Sequence, residues 1–279
     1  MSTYLRPTKL GEALAALANT KLAVLAGGTD YYPARVGKPT DDDILDISAI
    51  AGLRGVRDEG NHWRIGATST WSELIEAELP PLFDGLKAAA CEVGGAQIQN
   101  AGTIGGNLCN ASPAADGVPP LLALDARVEI ADTAASTSVA LADFILGNRK
   151  TALRPGQLLT AILVPKTTHA ARSHFLKLGA REYLVVSIAM AAATLEIDAG
   201  RVRAARVAVG SCSPVAQRLP LAEAALIGKP CDAALGKFVR AGHLAVLSPI
   251  DDVRASGAYR LDAALTLARR VLSRLGAQA

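Results

Sequence analysis

The sequence is poor in cysteine and in net charge and has no long apolar run, and each shortage excludes a class of protein. Its four cysteines, Cys91, Cys109, Cys212 and Cys231, form no C-x-x-C pair, so neither a disulfide framework nor an iron–sulfur site is indicated. A formal net charge of +3 is too small for a nucleic-acid-binding surface. No apolar run reaches the length of a membrane span, and no basic region precedes an apolar core at the start. We therefore expect a cytoplasmic protein.

Two domains are expected from the length and from a change of pattern along the chain. With 279 residues, half of them hydrophobic, the chain has enough material for a substantial core. Helices and strands alternate before Pro165, whereas three successive strands and then helices are predicted after it. We place the domain boundary between Pro165 and Ala171 and predict an α+β protein with domains over residues 1–168 and 169–279.

In the first domain, Thr8 is expected to cap a helix containing Leu10, Leu14 and Leu17. Further elements follow from apolar patterning: strands at Lys21–Ala26, Ile44–Ile47, Trp63–Ala67 and Arg127–Ile130, and helices at Ser72–Glu78 and Leu82–Val93. The stretch from Gly94 to Asn110 lacks periodicity and is predicted to be an ordered loop.

The second domain is predicted to contain a three-stranded antiparallel sheet and helices. The strands are His174–Leu178, Ser187–Ile197 and Val202–Val209, and the helices are Leu221–Ile227, Ala233–Leu247 and Tyr259–Leu275. Asp198–Arg201 is expected to form the hairpin connection between the second and third strands.

Two glycine-rich stretches are the candidate binding elements. We call Ala26–Asp30 (AGGTD) the first glycine segment and Thr103–Asn107 (TIGGN) the second glycine segment. Adjacent glycines let backbone N–H groups approach a phosphate without a β-carbon in the way. Because no lysine or arginine lies between Lys87 and Arg127, a phosphate at the second segment depends on backbone N–H groups and polar side chains such as Ser112.

Other phosphate-binding motifs fit these stretches less well. Neither contains the G-x-G-x-x-G of a Rossmann fold or the lysine of a G-x-x-x-x-G-K-[ST] loop. Taken singly, a Gly-Gly pair is more often a tight turn than a ligand site. From the residues alone, a phosphate site and a pair of structural turns both stay open.

A longer run of residues resembles a known family. The first glycine segment, then Gln97–Asn100 leading through the second glycine segment to Asp116, resembles the FAD-binding subunits of the xanthine dehydrogenase and carbon monoxide dehydrogenase family. The resemblance continues through Phe175–Arg181 and Pro214–Lys229, so it covers nearly the whole chain. It implies an N-terminal FAD domain of the vanillyl-alcohol-oxidase type with two α+β subdomains.

The same resemblance implies which residues contact FAD. The expected set is Val24, Leu25, Ala26, Gly27, Gly28, Thr29, Asp30, Tyr31, Val93, Thr103, Ile104, Gly105, Gly106, Asn107, Asp116, Leu159 and Lys177. Within this set, Asp116 is expected to accept a hydrogen bond from the cofactor and Val93 to lie by the adenine. Leu159 and Lys177 are expected near the flavin ring. Glu182-Tyr183 departs from the family pattern, which leaves the role of that pair undefined.

In this family, the flavin subunit receives electrons from the iron–sulfur subunit and passes them to the terminal acceptor. The resemblance therefore implies a large molybdopterin-binding partner, a small partner with 2Fe-2S clusters, and a terminal acceptor that is NAD, a quinone or oxygen. A heterotrimer or its dimer is expected. The substrate stays open among carbon monoxide, purines, aldehydes and N-heterocycles.

Two other functions compete with this one: a self-contained flavin reductase or oxidase, and a scaffold or nucleotide sensor that kept the fold. The motif regions offer no acid or base for the first alternative. An additional 4Fe-4S cluster is disfavoured because clustered cysteines are missing.

Several residues are interpreted as structural. The histidines His62, His169, His174 and His243 are scattered without a ligand pattern, so we assign them no catalytic role. Trp63 and Trp71 are expected to anchor the core, and Cys109 is expected to be a small buried apolar residue.

Overall fold

Four β-sheets organise the chain, which a computed structural model describes over residues 2–37 and 41–278. The strands are β1 (Tyr4–Leu5), β2 (Ala23–Leu25), β3 (Ile44–Asp46), β4 (Val56–Asp58), β5 (His62–Gly66), β6 (Arg127–Ala131), β7 (Ser136–Ala140), β8 (Ile145–Gly147), β9 (Lys150–Thr151), β10 (Leu158–Pro165), β11 (Ala171–Leu178), β12 (Ala189–Asp198), β13 (Arg201–Gly210) and β14 (Gln217–Arg218). The α-helices are α1 (Leu10–Asn19), α2 (Trp71–Glu76), α3 (Asp84–Glu92), α4 (Ala96–Ala101), α5 (Ile104–Asn110), α6 (Val118–Ala123), α7 (Leu141–Phe144), α8 (Pro220–Leu226) and α9 (Gly257–Ala277).

The first sheet is small and parallel, with strand order β1-β3-β2. Leu14 of α1 packs with Leu45 and Ile47 in one buried cluster, so the apolar face of the helix covers this sheet. The predicted helix and strands are therefore confirmed. The helix begins after Lys9, without a side-chain cap, so the prediction that Thr8 caps it is wrong.

The second sheet is antiparallel, with strand order β4-β5-β10-β6-β7. Trp71 is fully buried against it, and Trp63 stacks edge-on against Phe83 at a ring-centroid distance of 5.7 Å. Both tryptophans thus anchor the core, as predicted. The hairpin of β8 and β9 forms a separate two-stranded sheet.

The sheet of the C-terminal part is antiparallel, with strand order β11-β12-β13-β14, and α8 and α9 pack on one side of it. Ala199 and Gly200 have positive φ values of 47° and 71°, which confirms the tight hairpin predicted between β12 and β13. The prediction of three strands is corrected to four, because two residues at Gln217–Arg218 pair with β13. A strand that short leaves no periodic signal in the sequence.

Two segment predictions are wrong. Gly94 to Asn110 contains the helices α4 and α5 instead of a loop, since Thr103 caps α5 and its apolar residues Ile104 and Leu108 are buried. Ala233–Leu247 is two short 3₁₀ turns, Leu235–Phe238 and Ala241–Leu244. Further 3₁₀ turns occur at Pro33–Arg35, Ala51–Leu53 and Pro81–Phe83.

Candidate functional site

A cleft of about 480 Å³ lies where the small parallel sheet meets the helices α4 and α5. Its wall includes Val24 and Leu25 from β2, residues of both glycine segments, and Leu158 and Leu159 from β10. A volume of several hundred Å³ is the usual size of a site for a small molecule or cofactor.

The first glycine segment begins where β2 ends. Leu25 is still paired with Asp46 in the sheet, and the chain then turns at Gly28, whose φ of +70° is natural only for glycine. Within the described part of the chain, the backbone N–H groups of Gly27, Gly28 and Thr29 have no hydrogen-bond partner. The segment therefore offers a row of unused donors along the cleft.

Gly27 lets the first glycine segment pack against the residues that lead into the second. A β-carbon at this position would lie 1.9 Å from the carbonyl oxygen of Ala101 and 3.0 Å from the Cα of Gly102. The backbone of the first segment thus touches the two residues that immediately precede the second segment, and a larger residue at position 27 would prevent this contact. The two segments form one continuous wall of the cleft.

The second glycine segment is held by the end of β5 and by its own cap. Gly105 N donates to Ala67 O at 2.9 Å, and Ile104 N donates to Ser69 O at 3.0 Å. The hydroxyl of Thr103 accepts from Gly106 N at 3.1 Å and so caps α5. These bonds fix the segment before any ligand binds.

Asn107, which lines the same wall, has an unsatisfied acceptor in its side chain. Its Oδ1 atom is buried and has no hydrogen-bond partner among the described residues. Because a buried amide oxygen without a partner costs free energy, such an atom suits a site that a polar ligand completes.

Most of the predicted FAD-contacting residues line this one cleft. They are Val24, Leu25, Ala26, Gly27, Gly28, Thr29, Asp30, Tyr31, Val93, Thr103, Gly105, Gly106, Asn107 and Leu159. Ile104 is buried beneath the wall, where it packs into the core of the second sheet.

Asp116 and Lys177 lie outside the cleft lining and bind each other. Lys177 Nζ donates to Asp116 Oδ2 at 2.8 Å and to Glu92 O at 3.3 Å, and Ser187 Oγ donates to Asp116 Oδ1 at 2.6 Å. Burial raises the pKa of Asp116, while the ammonium of Lys177 and the hydroxyl of Ser187 act in the opposite direction. The pair joins the end of α3, next to Val93 in the cleft wall, to the C-terminal sheet.

Residues that sequence reasoning missed also line the cleft. Arg35 lies five residues beyond the first glycine segment, and this proximity was a usable signal. Arg149 comes from the distant hairpin of β8 and β9, and no local pattern marks it. The other missed lining residues include Ile98, Gly102 and Gln157.

Cys109 is exposed in the cleft wall, so the prediction that it is buried is wrong. Desolvation by the surrounding residues raises the pKa of the thiol to about 12. The thiol is therefore protonated at neutral pH and is a poor nucleophile. In residues 2–37 and 41–278, no group of three or more His, Cys, Asp or Glu side chains could hold a metal ion.

The fold and the cleft together define a protein of mixed helices and sheets with a cleft that is lined by both glycine segments. Comparison with known proteins gives the family. Residues 1–167 match the FAD binding domain in molybdopterin dehydrogenase, and residues 174–275 match the CO dehydrogenase flavoprotein C-terminal domain.

Individual relatives agree along the full length. The chain is 31% identical to the xanthine dehydrogenase FAD-binding subunit of Escherichia coli O157:H7, over 98% of this chain and 95% of that one. It is also 31% identical to the carbon monoxide dehydrogenase medium chain of Afipia carboxidovorans, over 99% and 97% of the two chains. A solved structure of reconstituted CO dehydrogenase from Oligotropha carboxidovorans superposes with a TM-score of 0.90 at 28% identity, covering 100% of this chain and 99% of that one.

The chain belongs to the family of FAD-binding subunits of molybdenum hydroxylases. This confirms the sequence-based prediction of an FAD-dependent oxidoreductase subunit and its mixed helix and sheet fold.

Proposed function

We propose that this chain binds FAD in the cleft and passes electrons from the 2Fe-2S clusters of a partner subunit to a terminal acceptor. One observation carries the proposal: in a chain of this family, both glycine segments line one cleft, Gly27 packs against the two residues that lead into the second segment, and the first segment has unused backbone donors.

The residues present fit a flavin dinucleotide. The free N–H groups of Gly27, Gly28 and Thr29 suit phosphate oxygens, because backbone amides without side chains approach an anion closely. The unpaired Oδ1 of Asn107 suits a hydroxyl or an imide N–H group of the ligand. Apolar side chains such as Leu25, Leu158 and Leu159 exclude water from flat rings.

When bound, a flavin takes up electrons singly and releases them in pairs, which suits a junction between iron–sulfur clusters and a two-electron acceptor. The role of the protein is to hold and orient it. The first glycine segment is fixed by β2. The second is fixed by the cap from Thr103 and by the hydrogen bonds that its N–H groups donate to Ala67 O and Ser69 O, so the wall is formed in advance. We assign Val93 to the adenine and Leu159 to the flavin region, as the resemblance implies.

We propose that Asp116 and Lys177 affect the cofactor indirectly and do not contact it. Since each is bonded to the other and neither lines the cleft, we propose that they act through the backbone of Glu92 and Val93.

The partners follow from the family. We propose a large molybdopterin-binding subunit and a small 2Fe-2S subunit, assembled as a heterotrimer or its dimer, with NAD, a quinone or oxygen as acceptor. The relatives are named for xanthine, carbon monoxide and nicotinate, so related flavin chains serve different substrates. We accordingly propose that substrate chemistry is determined on the molybdenum subunit.

The N-terminal part is proposed to be of the vanillyl-alcohol-oxidase type, with domains over 1–168 and 169–279. Two sheets with separate buried clusters in the first part and one in the second support this division. No helix among the described residues is long and apolar enough to cross a membrane. A cytoplasmic location stays a proposal, supported by four free cysteines.

The absorption spectrum of the purified chain tests the proposal. Oxidised bound flavin gives absorption bands at about 370 and about 450 nm, which is a general property of the cofactor. We expect these bands in the protein as purified or after addition of FAD. Their absence after reconstitution, in a folded protein, would refute the central claim. Steady turnover of a small substrate by the isolated chain would favour a self-contained flavoenzyme.

A further inference from the structure

Arg149 is an arginine from a remote hairpin that reaches the cleft between the two glycine segments. It lies in the turn between β8 and β9 and lines the cleft. Its Nη1 donates to Asn110 Oδ1 at 2.9 Å, at the end of α5, and lies 3.8 Å from Asp30 Oδ2 in the first glycine segment. The guanidinium therefore lies between the first glycine segment and the end of α5, the helix that begins in the second glycine segment.

The backbone of the hairpin is held in a conformation that aims this side chain at the cleft. Arg149 has a φ of +55°, which is uncommon for a residue with a side chain. Its N–H donates to Ala111 O at 3.1 Å, and Ala111, which ends α5, has a φ of +49°. Two hydrogen-bonded residues in the left-handed region thus tie the hairpin tip to the C-terminal end of α5. Strain of this kind is typical of positions that serve a ligand.

The charges in the cleft single out this arginine. Among the described residues of the lining, the cations are Arg35 and Arg149. The guanidinium of Arg35 already binds other groups of the protein. Its Nε and Nη2 donate to Asp42 Oδ2 at 3.1 and 2.7 Å, and its Cζ lies 3.7 Å from the centre of the Tyr31 ring. Arg149 makes one side-chain hydrogen bond, to Asn110, and a longer ion pair of 3.8 Å with Asp30, both through Nη1, so most of the five N–H donors of its guanidinium are unused.

We propose that Arg149 is the cation that neutralises the pyrophosphate of the dinucleotide and closes the two glycine segments over it. Backbone N–H groups donate hydrogen bonds but carry no net charge, whereas a pyrophosphate diester carries two negative charges. A guanidinium supplies that charge and two parallel donors at once. This inference rests on the proposed FAD function and adds the residue that selects a phosphate-bearing ligand.

The test measures the affinity of the full-length apo chain for FAD and for riboflavin, which has the flavin ring but no phosphate. Two variants are used: Arg149→Gly, whose new residue suits the positive φ and so preserves the fold, and Arg149→Lys, which keeps a charge without the fork. Lys150→Met is the matched control, because it removes a positive charge from the same hairpin at an exposed position outside the cleft lining.

We expect Arg149→Gly to weaken FAD binding about tenfold, with Arg149→Lys in between and Lys150→Met within about twofold of the wild type. The dependence of FAD affinity on salt should also become shallower in Arg149→Gly, because one ion pair is lost. Riboflavin binding should not change, since it offers no phosphate.

Three outcomes overturn the inference: unchanged FAD affinity in Arg149→Gly, an equal loss in Lys150→Met, or an equal loss for riboflavin. The last would mean that Arg149 only shapes the cleft through Asn110. A wild-type chain that binds no FAD would instead refute the proposed function itself, so the two failures are distinguishable.

Discussion

Asp116 and Lys177 form a buried ion pair whose side chains are 10% and 5% exposed. A buried pair contributes little net stability by itself, but removing one partner leaves an uncompensated charge away from water. We predict that Lys177→Met lowers the free energy of unfolding by about 3–5 kcal/mol at neutral pH. Urea denaturation followed by tryptophan fluorescence measures the change.

The loss should depend on pH in a defined direction. Burial already raises the pKa of Asp116, and removing Lys177 takes away the main group that opposes this rise. An acid with a raised folded-state pKa stabilises the fold while protonated, and that stability is lost as the pH rises through the raised value. Lys177→Met should therefore be less destabilised at about pH 5 than at about pH 8. The double variant Asp116→Leu/Lys177→Met serves as control and should recover much of the stability without this pH dependence. A loss equal at both pH values would contradict the explanation.

At the residue scale, the sequence indicated that Gly27 and Gly28 belong to the site but gave no indication of Arg149. Gly27 and Gly28 belong to a recognisable pattern, and the structure shows why: a close backbone approach at one and a positive φ at the other. Arg149 reaches the cleft only because the β8–β9 hairpin folds back onto α5. Such a long-range contact has no local signature, so one sequence without tertiary information cannot show it.

The short helix α5 carries the second glycine segment, and its stability at the N-terminus depends on Thr103. The hydroxyl accepts a hydrogen bond from Gly106 N, which satisfies one of the free donors of the first turn. We predict that Thr103→Ala costs about 1 kcal/mol in the free energy of unfolding and also weakens FAD binding. Thermal denaturation and flavin titration measure the two effects.

Thr103→Ser is the matched control, because a serine hydroxyl caps a helix as well as threonine does. It should retain both stability and affinity within the error of the titration. If Thr103→Ser and Thr103→Ala lose the same affinity, the methyl group of Thr103, not its cap, supports the site.

At the element scale, two kinds of prediction failed. A helix was missed where glycines lower the helical propensity, and a helix was predicted where apolar residues have helical spacing but no α-helix forms. The glycines of α5 lower its helical signal, yet Gly105 is required because a β-carbon there would lie 2.6 Å from Ala67 O. At Leu235–Leu244 the buried residues Leu235 and Val239 are four apart, as on a helix, but Gly236 lies so close to α9 that its β-carbon would be 2.2 Å from Arg269 O. Packing against α9 breaks this segment into two turns, and tertiary contact decides both cases.

The two parts of the chain share a buried apolar contact. Ala89 of α3 and Ala123 of α6 pack in one cluster with Phe175, Met190 and Ala192 of the C-terminal sheet. The ion pairs of Asp125 with Arg206 and Arg218 lie across the same junction. Because partly exposed ion pairs stabilise little, the apolar cluster is expected to carry most of the coupling between the two parts.

This coupling can be measured because both tryptophans, Trp63 and Trp71, belong to the N-terminal part. Phe175 is 3% exposed in the shared cluster, and we predict that Phe175→Ala costs about 3–5 kcal/mol. The tryptophan-fluorescence transition should shift by as much as the far-ultraviolet circular dichroism transition, although the substitution lies on the C-terminal sheet. Leu221→Ala, at a 58% exposed position of α8, should change stability by no more than about 0.5 kcal/mol.

A circular dichroism transition that moves while the tryptophan signal stays in place would show that the two parts unfold independently. The N-terminal part would then stay folded after the C-terminal sheet unfolds, and the contact of Lys177 with Glu92 would not be needed to maintain it.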